Sequence, residues 1–307
     1  MLVSQWRVPE QGHTWVENAP GEWWLTDGLP HHPPQYRAYA PLVDCTGLFL
    51  IFAGTAPTPE GILTFANDYG LLGLRSRGVI QGTAEGIEHW GEAREDWLKA
   101  ILTMRHTVTL WDWAQKRDRE SLSRQVYWDE RSLAWIDTHP AFSEQEKQSD
   151  GAYAIDHTEH AYLPAGFLHH MHYEGTELPQ LHVRERVTHP GALLFPVGDV
   201  VSVALAYVQY VITAHLWESS KLCMAWDMAI ASYPSLCVRL ETLLSALWAQ
   251  FALAVTGEKA YRQCHDEACR KWFEVSPATA RADKKYCSHT CHTRAYRERQ
   301  AQAVQRG

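Results

Sequence analysis

The sequence predicts an α+β protein, with a mixed, helix-rich body followed by a small C-terminal zinc-bound module of hairpin plus helix. Three observations lead there. Apolar residues recur at steps of three or four across 88–116, the periodicity of an amphipathic helix. Short runs such as QVYW (125–128) and AYAI (152–155), bounded by polar and Pro-containing connections, read as strands. Four of the seven cysteines fall in a single window, 264–291, near the C-terminus.

The remaining elements follow in chain order. The first 55 residues are rich in Pro and Trp, and GLFLIFAG (47–54) reads with them as loops and strands. Thr58-Pro59-Glu60 is a helix start: a hydroxyl N-cap, Pro at the first helical position and an acid in the first turn. That helix should run to Tyr69 and stop at Gly70. The helix over 88–116 should bury the stripe Trp90, Ala93, Trp97, Ile101, Met104, Val108 and Trp111. A core helix is expected from about 199 to 217. After Pro234, a further helix should place Leu240, Leu243, Leu244, Leu247, Trp248, Phe251 and Val255 on one side. Arg239, Glu241, Thr242, Ser245 and Gln250 should mostly face away, and Gly257 should end the helix.

Composition bounds the function. The 307 residues are 46% hydrophobic and 21% charged, with a formal charge of -8, and the mean hydropathy is -0.33. This is an ordinary globular composition, long enough for one large or two smaller domains. The acidic balance excludes a uniformly basic nucleic-acid coat. The opening MLVSQWRVPEQGHTW lacks the basic, apolar and small-residue succession of a secretory signal, so a cytoplasmic location is expected. Pro196, Asp199 and Gln209 interrupt the apolar stretch 192–214, which therefore reads as a core helix, and no membrane partner is expected.

Charge is divided unevenly. Residues 261–307 carry ten Lys or Arg against five Asp or Glu, and residues 1–260 carry 18 against 31. A boundary near 258 is expected, separating an acidic α+β body (1–258) from a basic module (259–307).

The cysteines of that module are spaced Cys264-x4-Cys269, then 17 residues, then Cys287-x3-Cys291. Two short pairs separated by a loop can supply the tetrahedron of soft ligands that Zn2+ prefers, as one structural ion with no position left for substrate. His265, His289 and His292 lie near enough in sequence to replace a cysteine, although four cysteines are the preferred set. Cys264–Cys269 should form a turn, 271–275 a short strand, and Ser288 the N-cap of a helix that carries Cys291 and continues to about Gln302. Trp272, Phe273 and Tyr286 would supply the few apolar contacts, because some 40 residues cannot bury enough area alone. With four thiolates bound, zinc lowers the module's charge from +5 to about +3. Arg281, Lys284, Lys285, Arg294, Arg297 and Arg299 form the cationic cluster expected to meet phosphates.

The segment C-x4-C-x-x-W-F … Y-C-S-x-x-C-x-x-R resembles the CGNR-type zinc finger, a C-terminal module of bacterial transcriptional regulators. The resemblance covers about 264–299 and implies that Cys264, Cys269, Cys287 and Cys291 are the zinc ligands and that the partner is DNA, or RNA. Cys291-His292-Thr293-Arg294 stands where that family has Cys-Gly-Asn-Arg, and the second cysteine pair is one residue closer. The expected function is a DNA-binding regulator whose body senses a signal or forms a homodimer. The alternative is a protein-interaction subunit of a larger assembly, such as a defence complex, that uses the same zinc module.

No enzyme is expected and no catalytic residue is assigned. His157, His160, His169, His170 and His172 lie near Asp156, Glu159 and Glu174, but H-E-x-x-H, the zinc-deaminase pattern, the phosphate-binding loop and G-x-S-x-G are all missing. Cys45, Cys223 and Cys237 are isolated in sequence and read as buried thiols.

Overall fold

A computed structural model of the chain describes residues 2–3, 6–27, 35–74, 91–128, 134–137, 160–162, 197–225, 235–257, 260–275 and 284–306. They divide into two compact units, one of 1–101 with 214–307 and one of 102–213. The architecture is mixed helix and strand, as the sequence predicts.

The chain opens with β1 (Leu2–Val3), β2 (Trp6–Pro9), β3 (Thr14–Ala19), β4 (Glu22–Thr26) and β5 (Tyr36–Tyr39). It continues through α1 (Pro41–Asp44), α2 (Leu48–Ala53), α3 (Pro59–Tyr69), β6 (Gly91–Ala93) and α4 (Arg94–Lys116). Next come α5 (Arg119–Leu122), β7 (Val126–Trp128), β8 (Ala134–Asp137), β9 (His160–Tyr162) and α6 (Val200–Ser219). The last elements are β10 (Ser220–Ala225), β11 (Ser235–Leu240), α7 (Leu243–Val255), β12 (Tyr261–Gln263), β13 (Trp272–Glu274) and α8 (His289–Arg306).

Among the described residues, the first unit holds four small sheets, ordered β1-β11-β10, β2-β5, β3-β4-β6 and β12-β13. Its core is aromatic. Phe49 stacks on Phe251 with ring centroids 5.2 Å apart, Phe52 meets Phe65 at 5.0 Å, and Trp97 closes on Phe65 at 6.1 Å. Aromatic pairs at these separations add to the free energy of area burial. The second unit contains the antiparallel sheet β7-β8-β9, and its Met104, Leu110, Leu122, Val126, Ile136 and Val203 are buried.

Local chemistry explains where the helices start and stop. The Thr58 hydroxyl accepts from the Gly61 N–H at 3.2 Å, Pro59 opens α3, and Gly70 ends it at φ +94°. Ile62, Phe65 and Ala66 are the buried face. Along α4 the expected stripe is buried at Trp97, Ile101 and Met104 and half-buried at Val108 and Trp111. Ala93, however, belongs to strand β6, where it pairs with Trp24, and Trp90 lies outside the described residues.

Three expectations are corrected. The run inside 47–54 is the helix α2, with Leu48, Phe49, Phe52 and Ala53 all buried. A short, uninterrupted apolar run has no periodicity by which to tell a buried helix from a buried strand. Residues 235–240 form the strand β11 and not the first turns of a helix. The helix α7 begins at Leu243, where Thr242 and Ser245 make a reciprocal capping box. Ser245 and Gln250 do not face away, since both are buried. The Gln250 amide donates to the carbonyls of Pro41 at 2.7 Å and Cys45 at 2.8 Å, tying α7 to α1. Gly257 follows the helix at φ +77°, as expected.

Helix α6 spans the predicted core-helix range. Its window Val200–Trp217 is long and apolar enough to cross a membrane by length and composition, and half of that window is buried against the chain itself. The predicted strand at 152–155 and the histidine-rich segment 163–172 lie outside the described residues, as do His157 and Glu174.

Beside α3, the buried carboxylate of Glu92 accepts from three successive backbone N–H groups, those of Leu72 (2.9 Å), Gly73 (2.5 Å) and Leu74 (2.8 Å). Burial pushes its carboxyl up to about 7, against those three hydrogen bonds, which hold it down. A raised carboxyl pKa contributes stability below the unfolded value near 4.5, and that contribution is lost as pH rises through about 7. Denaturant unfolding should therefore show stability falling by about 3 kcal/mol from this group between pH 4 and pH 8. In Glu92→Gln that slope should flatten.

Candidate metal centre

The C-terminal region is built as a turn, a hairpin and a helix. β12 pairs antiparallel with β13 in the register Tyr261↔Glu274, Arg262↔Phe273 and Gln263↔Trp272. Between the strands, Cys264 to Cys269 makes a tight turn in which the Asp266 carbonyl accepts from the N–H groups of Cys269 (2.9 Å) and Arg270 (3.0 Å). Arg270 leaves the turn at φ +50°, in the left-handed region. The chain returns at Tyr286 and enters α8. There Ser288 is the N-cap, its hydroxyl 3.3 Å from the Cys291 N–H. The predicted hairpin, cap and helix are all observed, and α8 runs on to Arg306.

This geometry brings the four cysteines together. Their sulfur atoms all lie within 4.8 Å of one another. Cys269 Sγ is 3.6 Å from Cys287 Sγ, which is 3.5 Å from Cys291 Sγ. A tetrahedral ion with sulfur ligands at ~2.3 Å needs sulfur-to-sulfur edges of about 3.8 Å, so the cage has the right size. Cys264 and Cys291 are buried, and Cys269 and Cys287 are half-buried. Phe273 and Val275 complete a small core around them, with Tyr286 packed alongside. The Cys287 N–H points at Cys264 Sγ over 3.4 Å, a donor aimed at sulfur charge.

The electrostatics of the bare sulfurs conflict. The Lys271 backbone N–H holds the Cys269 thiol below its ordinary value. Burial pushes Cys287 up. At Cys291 the Ser288 hydroxyl favours the thiolate, but burial and the neighbouring sulfurs outweigh it and drive the thiol up to about 12. Like charges this close cannot all ionise by themselves, and a bound cation removes the conflict.

Asp266, which the charge count treats as one acid among five, is the residue sequence reading missed. It is fully buried, and its carboxylate takes two hydrogen bonds from Arg294 Nε (3.1 and 2.9 Å) and a further one from Nη2. The Ala268 N–H also donates to it at 3.2 Å. Arg294, foremost among these partners, holds the Asp266 carboxyl below its usual range. The legible signal is an Asp two residues past the first ligand, where an Asx turn is favoured.

The other expected residues are placed as follows. Arg294 is engaged by Asp266, although its side chain is still 43% exposed. Lys284 lies over the Phe273 ring, with Nζ 5.2 Å from the centroid. Lys285, Arg297 and Arg299 are exposed, and Arg299 Nε donates to the Ala295 carbonyl at 3.2 Å. Arg281 lies outside the described residues. Among the described residues, the histidines offered as alternative ligands are not part of the four-sulfur group. His265, His289 and His292 are exposed, with His289 Nδ1 3.2 Å from the Thr293 hydroxyl and His292 edge-on to Tyr286 at 5.2 Å.

Fold and site together define an α+β protein with a C-terminal four-cysteine group able to hold a metal ion. No protein-family model, no curated protein and no solved structure matches the chain.

The purified chain is expected to carry one metal ion, and Cys287→Ser should carry none, as read by elemental analysis. Removing the Asp266 carboxylate that orients the knuckle, in Asp266→Ala, should weaken metal affinity by roughly 10–100-fold in competition with a chromogenic chelator.

Proposed function

We propose that the chain is a zinc-finger protein that binds nucleic acid and serves as a DNA-binding transcriptional regulator, its single zinc ion structural. Four thiolates at tetrahedral spacing favour Zn2+ over harder ions and leave no coordination position for chemistry. The resemblance of the cysteine segment to the CGNR-type finger supports the same reading.

The outward face of α8 is the observation that carries the nucleic-acid assignment. Cys291 and Ala295 are the buried side of this helix. At 3.6 residues per turn, His289, Thr293, Tyr296 and Gln300 fall on the opposite side, with Arg297 on one flank and Arg299 on the other. Tyr296 is 52% exposed. A helix of 18 residues is about 27 Å long, and its ~10–12 Å diameter suits a major groove about 12 Å wide. Uncharged hydrogen-bonding side chains down the middle suit base edges, and arginines on both flanks suit the two phosphate backbones. Exposed Arg270, Lys271, Lys284 and Lys285 extend the cationic surface across the turn and the returning chain. The body's excess of acids repels DNA and leaves this tail as the contact.

Arg294 is assigned a different role from Arg297 and Arg299. Its pairing with buried Asp266 makes it a brace between turn and helix. In duplex-DNA titrations over a salt series, replacing Arg297 and Arg299 with Ala should reduce the slope of log K against log salt by about 1.8, or 0.9 per phosphate contact. Arg294→Ala should mainly lower metal retention. An unchanged slope in the double variant would turn the reading toward a protein partner for the same helix.

A further inference from the structure

Outside the metal centre, the sheet β1-β11-β10 places two more cysteines together. β10 and β11 pair antiparallel over six consecutive positions, and Cys223 stands directly opposite Cys237. Directly opposed residues of an antiparallel pair have Cα atoms about 4.5 or 5.5 Å apart, depending on the hydrogen-bonding site. Both separations lie inside the range of roughly 4.4–6.8 Å that a disulfide spans.

The same register indicates which face carries them. Lys221 opposes Arg239 two positions along the ladder, so these two residues share the face of Cys223 and Cys237. Both are exposed, whereas the adjacent Leu240, on the other face, is buried. In this register the two cysteine positions share a face of the ladder with two cationic positions. One of these, Lys221, is itself paired with Glu241 at 2.7 Å. Cationic neighbours favour the thiolate, the reactive form of cysteine.

We infer that Cys223 and Cys237 form a redox-active dithiol that closes to a cross-strand disulfide when it meets a peroxide. One thiolate attacks a peroxide oxygen, the O–O bond breaks, and the departing hydroxide takes a proton to become water. The resulting sulfenic acid is attacked by the second thiol, so that an S–S bond forms, the S–O bond breaks, and a second water leaves with the remaining protons. Two electrons pass from the sulfurs to the peroxide, and a dithiol reductant reverses the change. This site is separate in sequence and in structure from the four-sulfur group, and its existence does not depend on nucleic-acid binding.

The test uses the full-length, metal-loaded chain treated with one equivalent of hydrogen peroxide, alkylated, digested and mapped by mass spectrometry. A linked peptide pair containing Cys223 and Cys237, two hydrogens lighter than the reduced pair and restored by dithiothreitol, is the expected result. Metal content should be unchanged. Cys223→Ser and Cys237→Ser should each abolish the linkage. The mapping of the unmodified chain stands by itself if either variant fails to fold. The inference is overturned if both residues remain fully alkylatable after peroxide, if they oxidise to sulfinic acids without linking, or if the peroxide is consumed by the metal cysteines with loss of the ion.

Discussion

Four sulfur atoms within 4.8 Å of one another cannot all carry negative charge unless a cation lies among them. The C-terminal part of the first unit, from β12 onward, is organised around that constraint. The knuckle between β12 and β13, the return at Tyr286 and the first turn of α8 each deliver sulfur to one point. Among the described residues, Phe273, Val275 and Tyr286 form the small apolar cluster around the sulfurs. So small a core contributes little against the conformational entropy of ordering this segment, and a cation held by the four sulfurs would supply part of the difference.

The cysteine module is also docked. Phe49 of α2 stacks on Phe251 of α7 and meets Tyr261 of the hairpin edge-on at 5.6 Å, so one aromatic ring joins two helices and the strands beside the cysteine group. Gly47, at φ +71°, lets the backbone before α2 approach Trp272 of the same hairpin. A Cβ there would lie 2.9 Å from that of Trp272. Any larger residue at Gly47 would meet both the strained backbone and this contact. Through these contacts the buried helices hold the hairpin in place, and the hairpin and cage in turn set the direction of α8.

Charge within the tail has two uses. The Asp266–Arg294 pair is local and directional, with one partner fully buried, and it joins the knuckle to the helix. Arg297 and Arg299, one helical turn further on, are exposed and able to act at longer range. Residues only three to five apart in sequence thus take different parts, because helix rotation puts Arg294 over the knuckle and its neighbours over solvent. Counting charge in the segment cannot separate the two uses.

Spacing and local stereochemistry made much of this chain legible without a structure. The hydroxyl caps at Thr58 and Ser288, the stop at Gly70, the buried stripe Trp97-Ile101-Met104 and the cysteine set all depend on neighbours within a few residues, or on a repeated pattern of ligands. What depended on distant partners was read wrongly or missed. The helical state of α2 came from packing one face against Phe65 of α3 and Phe251 of α7, the strand at 235–240 from pairing with β1 and β10, and the burial of Gln250 from carbonyls more than 200 positions away. The sequence alone determined that four thiols would converge near the C-terminus, because ligand spacing is a local property. Tertiary structure alone decided that Asp266 would take Arg294 and that the register of β10 on β11 would set position 223 opposite 237, because such pairings depend on how separate segments are brought together.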